Sequence, residues 1–197
     1  MMNQIITLFL TLACLSTAAA STGAGTGETT WLKTSCRGNK ATTTLHFYVH
    51  DPRAGPNATL FTVANASITA TSTTGFGRIN VFDDKVTVGP DIGSKEVARS
   101  QGSTISMDLK VLASSMNLNF FLTSGVFKGS TVTVVGRNQF SLAERELSVV
   151  GGTGAFRNAR GYAITSSYFN DPVENYSVIE YSIYVTTPRR CSYVSID

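Results

Sequence analysis

Apolar and polar residues alternate with period two over much of the chain. In Thr42 to Val49, Leu45, Phe47, Val49 and then Asp51 fall on one face, and His46, Tyr48 and His50 on the other. This run predicts a strand whose apolar stripe ends in a carboxylate. Leu60 to Ala70 predicts a second β-segment of mostly small residues, punctuated by Gly75-Phe76-Gly77. Arg78 to Phe82 predicts a third strand running into Asp83-Asp84, with a turn at Gly89-Pro90-Asp91. Further β-prone runs start near Val97, at Leu118 to Val126 and at Thr131 to Val135, the last after Lys128-Gly129-Ser130. In the final run, Tyr176 to Thr186, Ile179, Tyr181, Ile183 and Val185 share a face.

No window carries a helical stripe, so the pattern predicts an all-β chain of roughly eight strands joined by short turns. Closing them into an antiparallel β-barrel removes exposed edges, with a two-sheet sandwich as the alternative. A barrel of eight strands has room for one small ligand.

The stretch Glu144 to Ala163 joins two β-prone runs through Gly151, Gly152 and Gly154. The spacing is G-G-x-G, with neither a following lysine nor an amphipathic helix, so it fits a hairpin corner and not a phosphate loop. Arg145 shares the face of Leu147 and Val149, while Glu144 and Glu146 point the other way. If that apolar face is the barrel interior, Arg145 is buried and needs a partner, which Asp51 can supply. A carboxylate there titrates upward unless paired, as a general acid requires. A solvated salt bridge at the barrel rim satisfies the same residues.

Composition changes this picture in one respect, the compartment. The chain has 197 residues, 42% hydrophobic and 15% charged, enough for one core and one domain. Residues 1–20 pair a short apolar run with Ala18-Ala19-Ala20 and read as a secretory signal, with 21–41 a disordered or extended leader and 42–197 the barrel domain. Cleavage removes Cys14 and leaves Cys36 and Cys191, expected to form a disulfide that closes a loop of about 155 residues, a constraint of about 5 kcal/mol. Asn57, Asn65 and Asn175 head N-x-S/T sequons, the expected glycosylation sites. A net charge of +3 with scattered basic residues gives no nucleic-acid footprint, although it suits adhesion to an acidic wall polymer.

Several chemistries lack their residues. His46 and His50 stand too far apart along a strand to make a metal site alone, and there is no G-x-S-x-G elbow and no cysteine nucleophile. What remains is a polar set at strand ends: Asp51, Asn138 and Arg145.

These residues sit in a pattern that resembles the plant dirigent proteins. The strings are Phe47-Tyr48-Val49-His50-Asp51, Asn57-Ala58-Thr59, Phe82-Asp83-Asp84 followed by Gly89-Pro90, Gln101-Gly102, Gly129-Ser130-Thr131, Gly136-Arg137-Asn138, and Arg145-Glu146 through Gly161, in the family's order. The resemblance implies a secreted, trimeric eight-stranded barrel with a central apolar pocket and no cofactor. It implies stereoselective coupling of monolignol phenoxy radicals of the coniferyl alcohol type to optically active lignans, in the apoplast or cell wall. A separate laccase or peroxidase makes the radicals. A second branch of the family loses water from an isoflavanol through a quinone methide, closing a pterocarpan ring. A third reading is a non-catalytic wall protein guiding lignin deposition.

Asp51 matches the family's strand-end acid and Arg145 its pocket arginine. Asn138 falls where pinoresinol-forming members carry aspartate, and Thr104 where they often carry tyrosine. An amide cannot donate a proton as a carboxylic acid does, so Asn138 points away from that substrate, and Gly-Arg-Asn also occurs in the pterocarpan-forming branch. Asp51, Arg145 and Asn138 are thus the expected catalytic set, and Phe47, Val49, Thr104 and Leu147 the expected substrate-binding residues. The expected partner is a phenolic molecule or radical, with no nucleic acid and no membrane span.

Overall fold

A computed structural model describes residues 31–37 and 39–188. Ten strands form one antiparallel sheet: β1 (Leu32–Arg37), β2 (Lys40–Pro52), β3 (Leu60–Ala64), β4 (Ile79–Thr87), β5 (Glu96–Ser106), β6 (Ala113–Leu122), β7 (Thr131–Gln139), β8 (Glu144–Gly152), β9 (Arg160–Asp171) and β10 (Tyr176–Pro188). β4 to β10 run as a meander, and β2 closes it by pairing with β10 on one side and β4 on the other. Eight strands therefore make the closed barrel that the alternation predicts. β1 and β3 lie outside it, flanking β2 and β4.

The closing ladder between β2 and β4 has three residue pairs, Tyr48↔Thr87, Val49↔Val86 and His50↔Lys85, against thirteen between β2 and β10. An outward-facing clasp reinforces this seam. His50, 0% exposed, lies 2.6 Å from the Tyr176 hydroxyl through Nδ1 and 2.6 Å from Thr87 Oγ1 through Nε2. Thr87 spends its own proton on the Gly89 carbonyl, so His50 donates from Nε2 and accepts at Nδ1, the neutral tautomer. Burial, helped by Lys85, pushes the His50 pKa down to about 4, so it stays neutral.

Alternation turns one set of side chains inward on every stave. Leu45, Phe47, Val86, Val97, Phe120, Leu122, Val132, Val134, Leu147, Ile183 and Val185 pack into one cluster. The glycine corner seals this apolar end. Phe156 is buried beneath it, a Cβ on Gly152 would lie 2.2 Å from the Thr131 carbonyl, and Gly154 has φ +61° against Ser130.

Some boundaries shift. Leu32–Arg37, inside the expected leader, is the extended strand β1. Leu60 to Ala70 is a strand only to Ala64; it lacks an apolar stripe beyond that, and Thr69–Thr71 form a 3-10 turn. The strand expected at Leu118 to Val126 starts earlier, at Ala113, and ends at Leu122. The strand expected to stop at Phe82 continues to Thr87. The signal segment 1–20 and Cys191 lie outside the described residues.

Candidate functional site

The polar residues of the interior collect at the end where β2, β5 and β7 finish and β6, β8 and β10 begin. Asp51, Thr104, Ser114, Asn138 and Arg145 are all buried there. The β6–β7 register sets Asn138 beside Ser114. The β7–β8 connection, residues 140–143, turns the chain back to the same end of the barrel, where β8 carries Arg145.

Three expected catalytic residues hold an unsatisfied buried atom: Asp51 Oδ1, Asn138 Oδ1 and Arg145 Nε have no hydrogen-bond partner. Their residues are 9%, 3% and 4% exposed. Buried polar atoms are ordinarily paired, because each orphan costs about 1–3 kcal/mol. Three around one end of one interior mark a candidate site for a polar ligand. A groove of about 450 Å³ on the outer wall, lined by Phe61, Val81 and Arg99 among others, has no such atom; Arg99 Nε is 2.8 Å from Asp83.

Arg145 and Asp51 do not pair. Arg145 Nη1 donates to the Leu142 carbonyl and to Ser167 Oγ, each at 3.2 Å. The cation near Asp51 is Arg53, whose Nε stands 3.9 Å from Oδ2 and whose guanidinium is anchored on Asn170, Asn175 and Ser177. The expected pairing fails because a turn carbonyl, invisible to alternation, satisfies part of the guanidinium. Burial lowers the Arg145 pKa.

Asp51 instead faces a second carboxylate. The β2–β4 ladder ends at His50↔Lys85, and Asp51 and Asp84 are the next residues beyond it at the closing seam. Asp84 is buried and takes a hydrogen bond from Thr59 Oγ1 at 2.5 Å. Burial pushes its pKa up to about 7, with Asp51 adding to the rise and the Thr59 bond opposing it. Burial raises Asp51 as well, against the pull of Arg53. Asp51 is among the charges that raise Asp84, so ionising both carboxyls together is disfavoured. Asp84 is the functional candidate that the sequence reading missed.

The remaining expected residues all point inward. Thr104 accepts from Asn80 Nδ2 at 3.1 Å. Phe47 packs on Phe120 at 5.0 Å and on Tyr181 at 6.2 Å. Val49 and Leu147 belong to the apolar cluster. His46 lies outside, 2.7 Å from Glu180. The sequon residues Asn57, Asn65 and Asn175 are exposed, as is Cys36. Among the described residues no cluster can hold a metal ion, and no helix is long and apolar enough to cross a membrane.

Comparison with known proteins matches the same region. The family model for dirigent-like proteins covers residues 42–186. Dirigent protein 21 of Arabidopsis thaliana is 45% identical over 143 residues, 73% of this chain and 76% of that protein. Pterocarpan synthase 1 of Glycine max is 39% identical over 144 residues, 73% of this chain and 77% of that one. A solved pterocarpan synthase dirigent protein superposes with a TM-score of 0.71 at 37% identity, over 77% of this chain and 93% of its own.

Proposed function

Because the chain belongs to the dirigent family, we propose that it binds a phenolic alcohol inside the barrel and catalyses proton-assisted loss of water through a quinone methide. The observation that carries this reading is the Asp51–Asp84 pair, with one member able to keep its proton near neutral pH.

In the step, the Asp84 carboxylic acid gives its proton to the benzylic hydroxyl, and the carbon–oxygen bond breaks to release water. The Asp51 carboxylate takes the phenolic proton, and the phenolic oxygen's electrons pass through the ring to leave a neutral quinone methide. A second hydroxyl of the same molecule then adds to the exposed carbon. Its proton returns to Asp84, the ring oxygen recovers its own from Asp51, and the net change is one water lost. The apolar cluster beneath the pair holds the aromatic ring and excludes competing water. Pterocarpan synthase 1, at 39% identity, is named for a product of this kind.

Stereoselective coupling of monolignol radicals is the second reading. It is what the family resemblance suggests for lignan-forming members, and Dirigent protein 21 is the more similar of the two relatives. A laccase or peroxidase would supply the radicals, and the interior would orient their quinone methide product.

The test incubates the purified protein with a racemic isoflavanol without oxidant, and with coniferyl alcohol plus a one-electron oxidant, both followed by chiral chromatography. Turnover of the isoflavanol, reduced at least about 100-fold in Asp51→Asn and Asp84→Asn, is the expected result. Enantiomeric excess only in the oxidant arm replaces dehydration by coupling, and neither outcome leaves the non-catalytic wall protein.

The setting we infer is extracellular. The signal-like segment 1–20, the three exposed sequons and a Cys36–Cys191 bridge all suit an exported chain, and a trimer is the assembly that the family resemblance suggests.

A further inference from the structure

Dehydration through the acid pair needs its two carboxyls in different states, one ionised and one protonated, although both are buried on neighbouring staves. Their surroundings differ. Asp84 Oδ1 accepts from an uncharged donor, Thr59 Oγ1 at 2.5 Å, and the nearby Arg99 is spent on Asp83, through Nε at 2.8 Å and Nη2 at 2.7 Å. Asp51 turns Oδ2 toward the Arg53 guanidinium at 3.9 Å and leaves Oδ1 unpartnered. Asp51 and Arg53 stand two residues apart across Pro52, so alternation carries both side chains the same way, and the proline ring restricts the backbone between them.

Arg53 is fixed from outside the interior. Its Nη2 donates to Asn170 Oδ1 at 3.2 Å and to Ser177 Oγ at 3.0 Å, and its Nε to the Asn175 carbonyl at 3.4 Å. Ser177 passes its own proton to Asn170 Oδ1 at 2.7 Å, and the Arg53 backbone N–H holds the same Asn175 carbonyl at 2.8 Å. These acceptors are all neutral, so the guanidinium keeps its charge, and Asp51 is the carboxylate it meets. A freely moving surface arginine is averaged out by solvent, whereas one anchored on two strands and the turn between them acts from a fixed point. Around Asp51 stand Asp84 on β4 and Tyr181 on β10, and Asp84 in turn feels Asp83 and Arg99 from the outer wall. Arg53 favours the Asp51 carboxylate against its burial, while the charges acting on Asp84 are Asp51, Asp83 and Arg99.

We propose that Arg53 is a positioning residue that keeps Asp51 ionised, so that Asp51 serves as the base, with Oδ1 left for the substrate, and the proton rests on Asp84. This rests on the dehydration reading and names the group that divides the role of acid from that of base. One charge placed on one side of the pair is sufficient, because a cation a few ångströms away moves the ionisation of a carboxyl by about 1 pH unit or more.

The test reads Asp51 and the reaction separately in Arg53→Gln. Isotope-labelled side-chain carboxyl NMR, with Asp51 assigned from Asp51→Asn, should show the lower ionisation step of the pair moved up by about 1 pH unit, with the upper step at Asp84 in place. The pH profile of isoflavanol turnover should lose about 10-fold on its acid side and keep its basic side. Arg53→Lys, which keeps the charge and loses the fork, should restore part of the profile. Asn170→Ala, which frees the guanidinium and leaves the Asn175 sequon intact, should give a smaller movement in the same direction. Thermal melting reports the fold of each variant; should Arg53→Gln fail to fold, Asn170→Ala carries the same test. An Asp51 ionisation that stays in place or moves down overturns the proposal, as does equal movement of both steps. A moved Asp51 ionisation in a protein without isoflavanol turnover keeps the role of Arg53 and removes the dehydration reading.

Discussion

The two ends of the barrel interior share the same staves and the same inward alternation, yet they are built on opposite terms. Toward the glycine corner the staves carry Leu45, Val132, Val134, Ile183 and Val185 over Phe156, nearly all fully buried. Toward the other end they carry Asp51, Asn138 and Arg145, each with an orphaned atom. One end is packed for stability; the other forgoes stability to keep polar groups ready. The transition falls within single strands: β2 passes from Phe47 to Asp51 in four residues, and β8 from Leu147 to Arg145 in two. The apolar end thus serves as the rigid base on which an unsatisfied site can be held.

That contrast can be broken from either side. Phe47→Ala removes a fully buried ring in contact with Phe120 and Tyr181, and should cost about 3–5 kcal/mol in denaturant unfolding. A loss below about 1 kcal/mol would show that the apolar end is not the base of the fold.

Asp84→Asn should act in the other direction. The folded pKa of Asp84 lies above its unfolded value, so its contribution to stability is complete below about pH 4 and is lost as pH rises through about 7. At pH 8 the amide should be more stable than the wild type by up to about 4 kcal/mol; at pH 4 the two should match. Melting curves at the two pH values read this directly, and equal differences at both would remove Asp84 from the seam. Dehydration should fall as pH rises past about 7, as the Asp84 proton is lost.

A smaller gain is expected from Asn138→Leu, which replaces an unsatisfied buried amide with an apolar group of similar size. It should raise stability by about 1 kcal/mol while lowering the enantiomeric excess of the product. Lower stability with product selectivity intact would make Asn138 an ordinary packing residue.

Much of the apolar end was legible in the sequence, because period two with β-branched and aromatic residues leaves little freedom about which face is buried. Leu45, Phe47 and Val49, and likewise Tyr181, Ile183 and Val185, fall inward as the pattern dictates. So does Arg145 beside Leu147. The polar end was legible only in part. Asp84 escaped because the third strand was expected to stop at Phe82; carried on to Thr87, the same alternation turns Phe82, Asp84 and Val86 inward. The Arg145–Asp51 pairing failed for a different reason. Alternation tells which residues face the interior, but not which neighbours satisfy them, and here the Leu142 carbonyl and Ser167 do so. β1 was hidden as well, since a short flanking strand with an exposed face leaves no stripe to read.

The position of β2 also governs when the protein becomes whole during synthesis. It is made early, but its thirteen-pair partner β10 begins at Tyr176, near the far end of the chain. At about 5–20 residues per second, that partner follows roughly 6 to 25 seconds behind. Until then the cylinder stays open at the stave that carries Phe47, Val49 and Asp51. The His50–Tyr176 clasp and the Phe47–Tyr181 contact come together only in that late closure, whereas Asp51 and Asp84 belong to β2 and β4 and do not wait for it.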